Sequence, residues 1–237
     1  MRATTSTVPV ETAPLGIGYY TVPEAARLLR VPARNINRWL GGYTYTAKGV
    51  ETEMPPLWQP ELPPFGHRIE LGFRDLVELR FVHAFLEAGL GLLTVRNCIA
   101  YARACVQDDR PFSTRRFQTD GRTIFLESLR LTGESDVLDL RKGQYVLKTA
   151  IERTFKDLDI ADDAVTRWRP HQGRRSVVID PTRAFGQPIA TEYGVPTVTL
   201  AEAAEAEGSP ERAAFLYDVP PRVVRDAMQF EAYLRAA

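Results

Sequence analysis

Residues 21–42, TVPEAARLLRVPARNINRWLGG, restrict the fold of this chain more than any other stretch. Thr21 followed three residues later by Glu24 is a capping box, and Pro23 is tolerated in a first helical turn. Val22, Ala25, Ala26 and Leu29 recur at i, i+3, i+4 and i+7, which predicts one apolar stripe on a short helix. Pro32 forces Val31 out of helical geometry and lets a second helix begin. That helix carries Ile36, Trp39 and Leu40 inward and stops at Gly41-Gly42. Two short helices with a tight break form a helix-turn-helix arrangement. Trp39 shares the apolar stripe, so it is expected in the core rather than stacked on a base.

The next stretch, residues 41–71, alternates β-formers with turn residues and prolines. It predicts a strand-loop-strand with a protruding tip, ending in the apolar RIELGF. Helix returns at FRDLVELRFVHAFLEAGL, with Val77, Phe81, Ala84, Phe85 and Ala88 on one stripe and Leu76, Leu79, His83 and Leu86 on a second. A helix apolar on two sides is packed on two sides. Gly89 to Gly91 break it, and Val95, Cys98, Ile99, Ala102, Cys105 and Val106 mark another helix. FQTDGRTIFLES reads as a β-hairpin turning at Asp120-Gly121. VLDLRKGQYVLKTAIERTFKDLDI reads as a strand, a turn at Lys142-Gly143, then a helix. Short strands are expected around Asp180-Pro181 and Gly186-Gln187-Pro188. Three short helices close the chain at about 200–207, 210–217 and 220–234, with Thr199, Ser209 and Val219 at the cap positions.

Overall charge is uninformative, because 30 basic and 30 acidic residues cancel. Local charge is not. Between Tyr19 and Lys48 stand five bases (Arg27, Arg30, Arg34, Arg38, Lys48) and one acid, Glu24. Arg34, Asn35, Asn37 and Arg38 all lie off the Ile36/Trp39/Leu40 stripe. Arginine pairs bidentately with guanine and asparagine with adenine, and the major groove admits a helix. Arg27, Arg30 and Lys48 suit phosphates, which position a protein without reading sequence. The bland alternative is a solvated helix face. From Thr199 onward seven acids outnumber four bases, which disfavours a second DNA reader. Leu200, Ala203, Ala204, Phe215, Leu216, Val223, Val224, Met228 and Phe230 are expected inward there, on helices suited to self-association or a protein partner.

Catalytic signals are thin. No Gly-rich phosphate loop, nucleophile elbow or His-Glu metal motif occurs. Asp157/Asp159 and Asp162-Asp163 read as a solvated helix end and turn. Cys98 and Cys105 would sit roughly 10 Å apart on a helix, too far for a disulfide. His67, His83 and His171 are scattered, without metal-ligand spacing. No apolar run of bilayer length and no signal-peptide core occurs. These features lead us to expect a reduced, cytoplasmic protein that is not an enzyme and carries no cofactor or metal.

Two resemblances follow from these motifs. TVPEAARLLRVPARNINRWL and FRDLVELRFVHAFLEAGLGLLTVRNCI resemble the MerR-type winged helix-turn-helix. Val31-Pro32-Ala33 stands where that family has a Ser or Thr cap, the wing is long and proline-rich, and the long dimer helix is missing after Val106. The tail resembles the DUF433 family at Asp180-Pro181, Gly186, Pro188-Ile189, Val195 and SPERAAFLYDVPPRVVRDAMQF. There ATEYGVPTVTL replaces that family's Gly-Thr-Arg stretch. Chains with this pairing look like antitoxins of VapBC-type toxin-antitoxin systems. The resemblance implies a PIN-like ribonuclease partner, whose own acidic residues hold Mg²⁺ or Mn²⁺.

The fold class expected is therefore α+β, mostly α. It comprises a flexible lead-in (1–18), a MerR-like winged helix-turn-helix (19–108), a β-hairpin/helix connecting region (109–170) and a DUF433-like three-helix dimerisation domain (171–237). The function implied is a homodimeric antitoxin that binds its toxin and the operator DNA of its own operon. Arg174, Arg175 and Arg235 are candidates to enter the nuclease's carboxylate cluster. The rival is a one-component MerR-like regulator that answers a small ligand. An interaction module with a vestigial helix-turn-helix is a third reading.

Overall fold

The computed structural model describes residues 16–47, 49–132 and 140–236. The expected lead-in lies outside them up to residue 15, as does Lys48. The architecture is mixed and mostly helical. Strand β1 (Tyr20–Thr21) leads into α1 (Val22–Leu29) and α2 (Ala33–Gly41). The capping box is formed: Thr21 Oγ1 accepts from the Glu24 amide, and the Glu24 carboxylate accepts from the Thr21 amide at 2.8 Å. Arg30 ends α1 in the left-handed region at φ 58°, and Pro32 then starts α2 without a side-chain cap. Gly42 follows at φ 74°. A Cβ there would lie 2.7 Å from the Met54 carbonyl oxygen, so position 42 needs glycine for both backbone angle and space.

An antiparallel ribbon comes next, β2 (Tyr43–Ala47) with β3 (Val50–Met54). A long loop returns to β4 (Glu70–Leu71), which pairs with β1 and ties the base of the two-helix unit. Helix α3 (Phe73–Glu87) is the central pillar, buried on two sides as its double stripe requires. Helix α4 (Leu92–Val106) precedes α5 (Arg115–Thr132) and α6 (Leu140–Phe155). An antiparallel sheet then runs in the order β5 (Leu158–Ala161), β6 (Ala164–Trp168), β7 (Val177–Ile179), β8 (Pro188–Ala190). Three helices finish the chain: α7 (Thr197–Glu207), α8 (Pro210–Leu216) and α9 (Pro221–Arg235). No described helix is long and apolar enough to cross a membrane.

Several expectations are corrected. Residues 117–128 form no hairpin but the middle of α5. Phe117, Gly121, Ile124, Phe125, Ser128 and Leu129 are its buried positions, a helical spacing that outweighs the Asp120-Gly121 turn signal. Gly121 serves close packing: a Cβ there would meet the Phe117 ring at 3.0 Å. Lys142-Gly143 lies inside α6, held by buried Leu147, Ile151 and Phe155. The strand expected before it falls largely outside the described residues. Thr199 and Val219 are not caps. Pro196 and Pro220 occupy those positions, and only Ser209 caps as expected, accepting from the Arg212 amide at 3.1 Å. Asp157 is no solvated helix end, since Arg80 Nη2 contacts it at 2.6 Å and the Trp168 indole N–H donates to it at 3.2 Å. Phe215 and Leu216 face outward, because the short α8 spends its inward face on Ala213 and Ala214.

One large core runs from Tyr20 to Leu234, with a smaller one among the C-terminal helices. Phe81 lies at the centre of the large core. Its ring is 4.8 Å from Phe155, 5.6 Å from Phe112, 5.9 Å from Phe117 and 6.1 Å from Phe85, centroid to centroid. The 109–170 region is thus part of the same apolar body as α1–α4. The tail joins this body through Phe230 and Leu234, and through the Tyr20 hydroxyl, which donates to the Gly186 carbonyl at 2.7 Å.

Candidate nucleic-acid interface

Helix α2 is split cleanly by its period. Ile36, Trp39 and Leu40 are buried, whereas Arg34, Asn37 and Arg38 are exposed and Asn35 is half-buried. Because the inner face is locked into the core, the outer face has a fixed orientation. Arg34 makes no ion pair with a described residue. The Arg38 guanidinium lies 4.0 Å from the Tyr43 ring centroid, a cation–π contact that orders it without neutralising it.

The β2–β3 ribbon extends beside this helix, and its register sorts its side chains. Tyr43 opposes Met54 and Tyr45 opposes Thr52; Thr44 opposes Glu53 and Thr46 opposes Glu51. Cross-strand partners share a face and successive residues alternate. The tyrosines therefore share the face that Arg38 covers, and both carboxylates lie on the other. A polyanion approaching along Arg38 meets tyrosine and threonine first.

The remaining bases of this stretch are placed differently. Arg27 Nη1 lies 3.8 Å from Glu231 Oε2, and the Arg30 guanidinium lies 4.5 Å from the Tyr233 ring centroid. Both partners are on α9. Glu231 is itself buried and accepts from the Thr197 hydroxyl at 2.6 Å. Arg34, Asn37 and Arg38 are thus brought together on one free face, while Arg27 and Arg30 sit at the joint with the tail. Arg174 and Arg175 are exposed on the segment between β6 and β7. Arg235 pairs with Glu205 at 3.4 Å.

Polar groups that the sequence reading passed over hold the platform behind α2. Asp75 is fully buried and accepts from the Trp58 indole at 2.9 Å, the Glu61 amide at 2.7 Å, the Gly72 amide at 3.0 Å and Arg110 Nε at 2.8 Å. Arg96 on α4 donates to the Pro55 and Pro56 carbonyls at 2.7 and 3.0 Å and so pins the loop leaving β3. Asp75 had a local signal, its place three residues after the helix-capping Gly72. Arg96 had none, because its partners lie far away in sequence.

Glu78, one turn after Asp75, accepts from the Phe112 and Ser113 amides at 3.3 and 2.8 Å. Burial pushes its carboxyl up from the ordinary 4.5 to about 8, against the opposing pull of Arg74 and of the two amides. The folded state therefore prefers the neutral acid. Its contribution to stability is fully present below about pH 4.5, fades as the pH rises and is lost above about pH 8. Glu78→Gln stays neutral and can keep the Ser113 bond. We expect its stability relative to the unsubstituted protein to rise by a few kcal/mol from pH 5 to pH 8, read from urea denaturation at about half-unit steps of pH. A stability difference flat across that range would show that Glu78 is ionised in the fold throughout.

The chain is thus a mostly helical α+β protein that carries an outward basic helix beside a two-stranded ribbon. No family model matches it. It is similar to a protein of Mycobacterium tuberculosis (strain ATCC 25618 / H37Rv) named "Putative antitoxin VapB45". The two are 28% identical over 220 residues, spanning 88% of this chain and 92% of that protein. The crystal structure of Rv2018 from Mycobacterium tuberculosis shares the fold, with a TM-score of 0.68 at 22% identity over 91% of this chain and all of that one.

Proposed function

We propose that this chain is the antitoxin of a VapBC-type toxin-antitoxin pair. In this reading it binds and silences a PIN-like ribonuclease, and as a homodimer it represses its own operon through α2. It works by binding rather than by catalysis. The observation that carries the reading is the free row Arg34, Asn37 and Arg38 on a helix whose other face is locked in the core. Similarity along most of the chain to a protein named as an antitoxin supports it. The MerR-like reading of residues 19–108 and the DUF433-like reading of the tail supply the roles, DNA recognition in the first and association in the second.

Arg34, Asn35, Asn37 and Arg38 would read base edges, with Lys48 on a phosphate. Arg27 and Arg30 are exposed but lean on α9, Arg27 toward Glu231 and Arg30 on Tyr233, so they have a smaller share of the phosphate contacts. Toxin silencing would use a cation that competes with the nuclease's metal in its carboxylate cluster. Arg174 and Arg175 suit this better than Arg235, which Glu205 already engages.

Two measurements test the proposal. Equimolar chain should abolish RNA cleavage by the nuclease encoded next to it, and cleavage that persists at excess chain would overturn the antitoxin role. Affinity for its own promoter fragment should fall steeply with salt, since each phosphate contact releases condensed counterions. A salt-independent affinity, or none, would overturn the repressor role.

A further inference from the structure

The C-terminal helices hide alanines and display an aromatic. Helix α8 buries Ala213 and Ala214 in the smaller core. This turns Phe215 and Leu216 outward, 91% and 63% exposed. Phe215 is the most exposed large apolar side chain among the described residues. Beside it opens a cleft of about 370 Å³ walled by Glu207, Glu211, Arg212, Phe215 and Leu216. The apolar knob therefore forms one wall of a shallow, open cleft on the same surface.

The charges of the rim indicate what covers it. Glu211 is already engaged by Arg225 at 3.3 Å. Neither the Glu207 carboxylate nor the Arg212 guanidinium pairs with an opposite charge among the described residues, and Arg212 Nη1 donates to the Glu207 backbone carbonyl at 3.4 Å. One uncommitted anion and one uncommitted cation thus flank the same apolar knob. A two-fold axis brings a patch onto its own copy, so such an interface must be self-complementary. This patch is: the knob can enter the partner's cleft, and each free charge can meet its opposite. A partner surface of a single sign would satisfy one of the two charges and repel the other.

We propose that the α7–α8 face centred on Phe215 is the surface through which two copies of this chain pair. Phe215 of each copy fills the cleft of the other, and Arg212 pairs with Glu207 across the axis. The proposal deepens the dimeric reading above, on which it rests, by naming the surface.

Sedimentation equilibrium of the full chain, without DNA or nuclease, tests it. The unsubstituted chain should be a dimer in the micromolar range. Phe215→Glu should raise the dimer Kd by about 30-fold or more, as loss of an interface hot spot does. Its far-ultraviolet circular dichroism spectrum should be unchanged, since the side chain touches little of its own fold, while its melt should fall only by the stabilisation that dimerisation lends the parent. Arg212→Glu should weaken the dimer, and Arg212→Glu combined with Glu207→Arg should restore it. A monomeric unsubstituted chain would overturn this proposal and the dimeric reading together. A Phe215→Glu chain that stays dimeric, or a charge swap that restores nothing, would overturn this surface alone.

Discussion

Replacing Arg34 and Arg38 together by alanine is expected to weaken operator binding about 100-fold and to leave nuclease binding intact. The magnitude follows from the geometry. Each good bidentate contact between arginine and a base is worth about 1–3 kcal/mol, and 1.4 kcal/mol is about tenfold in affinity. The two side chains are one helical turn apart on the exposed face of α2, so each would address its own base pair. Neither contributes to the core: Ile36, Trp39 and Leu40 hold the helix from the other side. The fold cost is confined to the Arg38 contact with Tyr43, about 0.5–1 kcal/mol at an exposed site. An electrophoretic mobility shift with the promoter fragment reads the affinity, and a thermal melt checks the fold. Specific affinity should fall more than affinity for an unrelated duplex, because phosphate contacts elsewhere survive. If the double variant binds its promoter as tightly as the parent, α2 is not the reading helix.

The largest stability effect is expected at Phe81. Phe81→Ala should cost about 3–5 kcal/mol, the range for emptying a phenylalanine site in a packed core. The upper part of that range applies, because Phe81 is fully buried and touches four other rings whose tilted and edge-on contacts are lost with it. The rings come from α3, α5, α6 and the turn before α5, so these elements cannot collapse as one into the gap. Against a typical total stability of about 5–15 kcal/mol, the variant should be partly unfolded at growth temperature. Phe81→Leu refills most of the volume and should cost less than half as much. Urea midpoints of the two variants measure this. A loss below about 1 kcal/mol in Phe81→Ala would mean that the aromatic cluster is loosely packed.

Both effects arise in parts of the molecule that the sequence foretold unequally. The inward face of α2 and the double stripe of α3 were legible, because a 3.6-residue period is written into neighbouring residues. No hairpin forms at Asp120-Gly121 for a related reason. A two-residue turn signal competes there with a helical period that spans twelve residues, and packing of Phe117 and Phe125 follows the longer pattern. The tail departs from its local pattern at Phe215. In a seven-residue helix, periodicity cannot tell a wide apolar face from two separate ones, and the neighbours Ala213 and Ala214 decide which is buried.

Sequence alone determined the two-helix unit with its cap and break, the face that α2 presents, the ribbon after it, the central helix and the three helices of the tail. Each depends on chemistry within a few residues along the chain. Tertiary structure alone decided that Arg27 and Arg30 meet Glu231 and Tyr233, that Asp75 gathers donors from Trp58 to Arg110, that burial pushes the Glu78 carboxyl up, and that Phe215 is left uncovered. These facts depend on residues that folding brings together from as much as two hundred positions apart. Burial and charge at such meetings are set by where the chain returns, which no local pattern encodes.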